Sequence, residues 1–137
     1  MLNDRAGKFV LGIFLLMLAS GCTTLADVKE AKGTGKTGTY DAPFDEVWRV
    51  VVEYINASDL ELVSEDKSSG TILAQRGINL ANYGDNVAVF IEALSDMKTF
   101  VEVVHKKAME TNIFGAWWDE RIIKHLDKIY MREDEAS

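Results

Sequence analysis

The sequence predicts an α+β domain in which two helices pack on one face of an antiparallel β-sheet, in the order β-α-β-β-β-β-α. Apolar residues recur at helical spacing from Phe44 to Ile55, and a second helical pattern closes the chain. Between them, four runs rich in β-branched residues are joined in pairs by turn sequences. Because each element has one apolar face, a two-layer arrangement buries all of these faces together.

The first element is a predicted signal peptide over residues 1–21. Arg5 and Lys8 precede an apolar run of about 11 residues from Phe9 to Ala19. Such a run rises about 16 Å as a helix, which is short of the roughly 30 Å hydrocarbon core but typical of a signal peptide. It ends on Leu18-Ala19-Ser20-Gly21-Cys22, which resembles the lipobox of bacterial lipoproteins.

The lipobox resemblance implies that Cys22, the single cysteine of the chain, receives a diacylglyceryl group and becomes the first residue after cleavage. Two or three acyl chains would anchor the protein stably in a membrane, where one chain is marginal. Thr23 follows the cysteine. An aspartate at this position would resemble the signal that retains lipoproteins in the inner membrane, so a threonine here favours the outer membrane and a domain facing the periplasm. The alternative is an ordinary secretory signal, or an uncleaved anchor, with an accidental cysteine.

Residues 22–37 are predicted to form a flexible tether, because they are small and polar and show no apolar period. Within them, the segment from Gly33 to Thr37 superficially resembles a phosphate-binding loop. Glu30 stands where that motif requires its first glycine, and no apolar strand precedes it. We therefore interpret the segment as a lysine-bearing glycine linker.

The globular domain is predicted over residues 38–132, followed by an acidic tail over 133–137. Lys36–Tyr40 is predicted to be a short edge strand, and Pro43 suits the first turn of the following helix. That helix is predicted to end near Asn56 to Asp59. Its apolar face, with Trp48 in the core, consists of Phe44, Val47, Trp48, Val51, Tyr54 and Ile55.

Two predicted hairpins and a terminal helix complete the domain. The first hairpin pairs Leu60–Asp66 with Thr71–Arg76, and the second pairs Asn86–Leu94 with Thr99–Lys106. Residues 77–85 break the strand pattern between them. The terminal helix is predicted over residues 113–132, with an apolar face formed by Trp118, Ile122, Leu126, Ile129 and Tyr130.

Three local patterns carry a family resemblance: Tyr40-Asp-Ala-Pro-Phe-Asp-Glu-Val-Trp48, Ser64-Glu-Asp-Lys-Ser-Ser-Gly-Thr-Ile72, and the terminal amphipathic helix. They resemble small bacterial lipoproteins of unknown function with a single helix-grip domain. The implied fold is similar to the repeated domain of the C lipoprotein of the outer-membrane barrel assembly machine. The resemblance covers residues 38–131, and this chain has no match to that lipoprotein's extended N-terminal partner-binding segment.

The charge balance disfavours nucleic acid as a partner. The chain carries a net charge of −7, and since residues 1–21 contribute +1, the remainder carries −8. Binding to phosphates depends on clustered lysine and arginine, so an acidic domain is a poor ligand for polyanions. The same balance argues against docking on anionic lipid through a basic patch.

The sequence shows no convincing catalytic or metal-binding pattern. His105 and His125 are the only histidines, without the three or four convergent ligands that a metal site requires. We expect both to be partly exposed, with no metal or cofactor. Asp119 and Glu120 are explained by the dipole at the start of the terminal helix. No serine lies in a nucleophile-elbow pattern, so we expect a non-enzymatic protein.

The strongest candidates for a contact surface are apolar. Trp117 and Trp118 are about 100° apart on a helix, so one is predicted to pack in the core and the other to lie at its margin. Together with Ile78, Leu80 and Tyr83, this pair is a candidate groove for a protein partner or an apolar ligand. The alternative is that all five residues simply cap the core.

Three functions remain open on the sequence alone. The leading expectation is an envelope lipoprotein that acts as an accessory or adaptor through protein contact, which a closed core with an exposed aromatic patch would favour. The alternative is a carrier or sensor of a small apolar ligand, which would need a void of roughly 300 Å³ under the terminal helix. The third is a hydrolase of lipid or peptidoglycan, which a cluster of His105 with carboxylates in a cleft would favour.

Overall fold

The structure is a computed structural model that describes residues 24–77, 84–107 and 117–130. Several predictions fall outside these ranges: the signal peptide over 1–21, the lipidated Cys22, the loop residues Ile78, Leu80 and Tyr83, and the acidic tail over 133–137.

The described residues form five strands and three helices. The strands are β1 (Lys36–Tyr40), β2 (Glu61–Asp66), β3 (Thr71–Arg76), β4 (Asp85–Ser95) and β5 (Lys98–Lys107), and the helices are α1 (Leu25–Glu30), α2 (Phe44–Asn56) and α3 (Trp118–Ile129). The sheet is antiparallel throughout, in the order β1-β5-β4-β3-β2. The predicted order β-α-β-β-β-β-α is confirmed, and the additional helix α1 precedes it.

Helices α2 and α3 cover the same face of the sheet, which we call the inner face. Alternate residues of β4 and β5 point towards them, and Val89 of β4 lies opposite Val103 of β5. Both of these valines are fully buried. The predicted α+β fold, with two helices packed on one face of an antiparallel sheet, is therefore confirmed.

The apolar face predicted for α2 is confirmed. Val47, Trp48 and Val51 are at most 3% exposed, and Val50 is also buried. Pro43 precedes the first turn in an extended conformation with φ of −64°, so its missing N–H removes no helical hydrogen bond.

The face predicted for α3 needs one correction. Trp118, Ile122 and Leu126 are buried, whereas Ile129 is 49% exposed. At the C-terminal end of the helix the contact with the sheet is made instead by Tyr130, whose ring centroid lies 5.9 Å from that of Tyr40. The prediction for Ile129 was wrong because Tyr130 packs against the core at this end of the helix, which leaves the neighbouring Ile129 turned towards solvent.

Helix α1 lies on the opposite, outer face of the sheet, in a segment that the sequence predicted to be a flexible tether. Residues 24–37 contain helix α1 and the first two residues of β1. Val28 is 0% exposed and packs against Ala88, Phe90 and Val104. Because β4 is buried on both faces over its first seven residues, this apolar surface needs a cover, and α1 supplies it. The tether prediction over residues 22–37 is wrong for residues 24–37.

A buried carboxylate fixes the glycine-rich segment that follows α1. Glu102 of β5 is 3% exposed, and its Oε1 accepts hydrogen bonds from the backbone N–H of Gly33 at 2.6 Å and of Gly35 at 2.8 Å. A Cβ atom at Gly35 would lie 2.3 Å from the carbonyl oxygen of Val103, so only glycine fits. The segment that resembles a phosphate-binding loop therefore binds an anionic group of the chain itself, because two of its backbone N–H groups donate to the Glu102 carboxylate.

Candidate functional site

A cluster of polar and charged side chains lies at the start of α3, where β3, β4 and β5 come together. Its members, which we call the Asp85 cluster, are Arg76, Asp85, His105, Trp118 and Asp119. Arg76 lies directly opposite Asp85 in the sheet. Because side chains alternate between the two faces of a strand, Arg76, Asp85 and His105 all point to the inner face, at one end of the sheet.

Asp85 is the centre of this cluster. Its side chain is 0% exposed, and its Oδ2 accepts a hydrogen bond from Arg76 Nε at 2.8 Å. Arg76 Nη2 lies 2.6 Å from the same oxygen, as an ion-pair contact without hydrogen-bond geometry. The other oxygen, Oδ1, is 2.8 Å from His105 Nε2. Trp118 Nε1 donates a longer bond of 3.4 Å to Oδ2.

His105 lies between two carboxylates. Its Nε2 contacts Asp85, and its Nδ1 is 3.8 Å from Oδ1 of Asp119, which is too far for a hydrogen bond. Oδ1 of Asp119 is buried and has no hydrogen-bond partner within the described part of the chain. Asp119 and Glu120 lie in the first turn of α3, where the helix dipole favours negative charge, as the sequence predicts.

The burial of this cluster decides what it can do chemically. A histidine between carboxylates can hold or transfer a proton, but acid–base catalysis requires a substrate within hydrogen-bond distance. The His105 side chain is 3% exposed, and Trp118, which lies over the cluster, is 1% exposed. His105 as a whole residue is partly exposed, as expected, but its imidazole ring is enclosed. The cluster holds three strands and a helix together.

The tryptophan pair divides as predicted, with one ring in the core and one at its margin. Trp118 packs with the core, so its assignment to a contact surface is wrong. Trp117 is 60% exposed, and Lys107 Nζ lies 4.2 Å from the centroid of its ring, within the range of a cation–π contact. The other members of the predicted groove lie outside the described residues.

His125 lies away from this cluster, on α3. Its ring is 4.5 Å from that of Tyr54. Burial lowers the pKa of His125, and the charge of Lys128 lowers it further. Within residues 24–77, 84–107 and 117–130, no group of three or more histidine, cysteine or carboxylate side chains is arranged to hold a metal ion.

The space between α3 and the sheet is filled by side chains. Leu126 and Ile122 of α3 meet Val101 and Val103 of β5 in one core cluster, and all four are at most 1% exposed. An open groove of about 410 Å³ lies elsewhere, at the turn between β2 and β3, with Phe90 among its lining residues. A second open groove, of about 510 Å³, lies along the side of α3 next to β1, with Glu120, Lys124 and Asp127 among its lining residues. Both grooves are open to solvent and neither is a closed void beneath the terminal helix, which the carrier hypothesis would need.

Comparisons with known proteins assign no family. No protein-family model matches the chain, and no curated protein matches it. Among solved structures, the chain is similar to the di-domain ARO/CYC StfQ from the steffimycin biosynthetic pathway, at 14% identity and a TM-score of 0.40. The match covers 68% of this chain and 42% of that protein, so this chain spans less than half of its length. A likeness of this size assigns no function.

In the described part of the chain, no helix is both long enough and apolar enough to cross a bilayer.

Proposed function

We propose that this chain is a lipid-anchored bacterial envelope lipoprotein of non-enzymatic type, which acts as an accessory or adaptor through protein contact. The observation that carries the proposal is that side chains fill the core while the large apolar side chains of Leu94, Met97 and Trp117 are exposed to solvent. The lipobox at Cys22 supports the anchor, and the proposed location is the outer membrane, facing the periplasm.

Burial of the Asp85 cluster favours a binding protein over a hydrolase. His105 and Asp85 are enclosed, and no described serine lies within the cluster to serve as a nucleophile. The filled core under α3 likewise favours protein contact over the alternative of a carrier for a small apolar ligand.

The hairpin between β4 and β5 is the surface that best suits a protein partner. Strands β4 and β5 have 11 and 10 residues, whereas β3 has six, so their shared tip extends past its neighbour. At this tip Leu94 is 53% exposed and Met97 is 61% exposed. Single exposed apolar residues are ordinary, but two within one projecting hairpin offer apolar surface to a partner.

The anchor is tested by replacing Cys22 with serine in the full-length chain. We expect Cys22→Ser to abolish acylation, because a hydroxyl does not form the thioether that carries the lipid. The intact mass should lack the acyl groups, and the protein should leave the detergent phase in a phase-partition assay. Thr23→Ser is the matched control and should stay in the detergent phase. Equal partitioning of Cys22→Ser and the unaltered protein would refute the anchor.

Protein contact is tested by a photo-crosslinking residue at Met97 in cells, with the same residue at exposed Asn56 as the control. We expect irradiation to join position 97, but not position 56, to one envelope protein in near-stoichiometric yield, identified by mass spectrometry. Recovery of a small apolar molecule with the purified protein, and no crosslinked protein, would contradict the adaptor role and support the carrier.

A further inference from the structure

We propose that the end of the domain bearing Trp117 and Lys107 rests on the bilayer surface, with the Trp117 ring in the headgroup layer. We call it the proximal end. This inference rests on the proposed acylation of Cys22, and it names the lipid bilayer as the occupant of this exposed aromatic surface. It deepens the proposed function by giving the anchored domain one orientation.

The lipid anchor would be attached almost directly to the folded domain. Thr24 is two residues from Cys22, a span of at most about 7 Å. Both the backbone N–H and the hydroxyl of Thr24 donate hydrogen bonds to Oδ2 of Asp27, which fixes the start of α1. Val28 then fixes α1 to the sheet. Without a flexible tether, the start of α1 must remain close to the bilayer.

The start of α1 lies at the same end of the sheet as Trp117. Lys32, which follows α1, lies 5.2 Å from the centroid of the Phe90 ring, and Gly33 bonds to Glu102, the residue opposite Phe90. Val28, one turn earlier, packs with Ala88 and Val104, which lie two residues nearer to Lys106. The start of α1 therefore points towards Lys106 and Lys107. Lys107 is the last residue of β5 and lies over Trp117. The anchor point and the exposed ring therefore face the membrane together.

The chemistry of this pair suits a membrane interface. An indole ring has an apolar body and one N–H donor, and tryptophan is enriched at the boundary between lipid and water. A lysine beside it can lay its aliphatic stem along apolar surface while its ammonium reaches the phosphates. Trp117 is 60% exposed and the Lys107 ammonium lies 4.2 Å from the centroid of its ring, so an indole and a positive charge lie side by side.

The distribution of charge supports the same orientation. The two hairpin turns at the opposite, distal end carry Asp66 and Asp96, and Asp45 at the start of α2 joins that end through its ion pair with Lys67. A chain with a charge of −8 after residue 21 is repelled by anionic lipid. The proximal end carries Lys106 and Lys107 beside the carboxylates of Asp27, Asp119 and Glu120, so its charges nearly balance and it is repelled less than an acidic surface without lysines.

The test uses the full-length, acylated protein in vesicles of phosphatidylcholine containing some phosphatidylglycerol. Lipid occupies the thiol of Cys22, so Trp117→Cys introduces one free thiol for an environment-sensitive NBD label. Met97→Cys is the matched control, since Met97 is equally exposed at the distal end. We expect headgroup-level spin-labelled lipid to quench the label at 117 several-fold more than the label at 97. Aqueous iodide should show the opposite preference.

The label replaces the ring that is proposed to make the contact, so intrinsic fluorescence supplies a second measurement. Spin-labelled lipid should quench the tryptophan emission of the unaltered protein more than that of Trp117→Phe.

Each outcome supports or overturns the inference. A protein mass without acyl groups overturns the proposed anchor and this inference with it. Acylated protein whose labels at 117 and 97 are equally open to iodide overturns the inference alone. A label at 117 that is shielded from iodide but is not quenched by the lipid shows contact with another protein or a second copy, and also overturns it.

Discussion

Replacing Trp118 with alanine is expected to lower the free energy of unfolding by about 3–5 kcal/mol, which is the range for emptying a buried aromatic site. Trp118 is 1% exposed and packs in the main core. The guanidinium groups of Arg76 and Arg121 lie 5.7 and 5.2 Å from its ring, so the substitution also removes two cation–π contacts. Urea titration followed by circular dichroism measures the loss.

The neighbouring tryptophan is the matched control. Trp117→Ala makes the same chemical change one residue earlier, at a ring that is 60% exposed. We expect it to change the free energy of unfolding by no more than about 0.5 kcal/mol, as is usual for surface substitutions. Equal losses from the two variants would mean that the assignment of one ring to the core and the other to the surface is wrong.

The regular elements of the main core were predictable because their patterns are long or sharply bounded. Helix α2 shows its apolar face over three turns, and the turn residues between β2 and β3 mark both strand ends. The prediction of Thr71–Arg76 for β3 is the observed strand. In these segments the apolar pattern and the turn residues indicate the same element bounds, so the element can be predicted from the sequence.

Helix α1 was not predictable by the same means. Six residues form fewer than two turns, so one buried side chain, Val28, carries no detectable period. The glycines that suggested flexibility serve instead for a close approach to β5 and for hydrogen bonds to Glu102. An available signal was the unbroken apolar run of β4, which indicates a strand covered on both faces.

The Asp85 cluster depends on the pairing register of the strands, which local sequence patterns do not reveal. Asp85 and His105 are 20 residues apart and meet only because β4 pairs with β5. The prediction started β4 at Asn86 and so left Asp85 in the preceding loop. Extending the alternation of Val87 and Val89 back by one step would have placed Asp85 on the inner face, where a carboxylate needs a partner.

Asp85→Ala is expected to lower the free energy of unfolding by about 3–5 kcal/mol, because it leaves buried partners of the carboxylate without their charge. Arg76, whose side chain is 16% exposed, would lose both of its contacts to Oδ2. His105, at 3% exposed, would lose its bond to Oδ1. Thermal and urea unfolding at neutral pH measure the change.

Two further variants distinguish this electrostatic cause from a simple loss of side-chain volume. Glu92→Ala removes the same charge from an exposed position on the same strand and should cost no more than about 0.5 kcal/mol. In a double-mutant cycle, Arg76→Ala combined with Asp85→Ala should cost clearly less than the sum of the two single losses, because neither charge is then left alone. A loss below about 1 kcal/mol for Asp85→Ala, or additive losses in the cycle, would show that the cluster does not hold β3, β4 and β5 together.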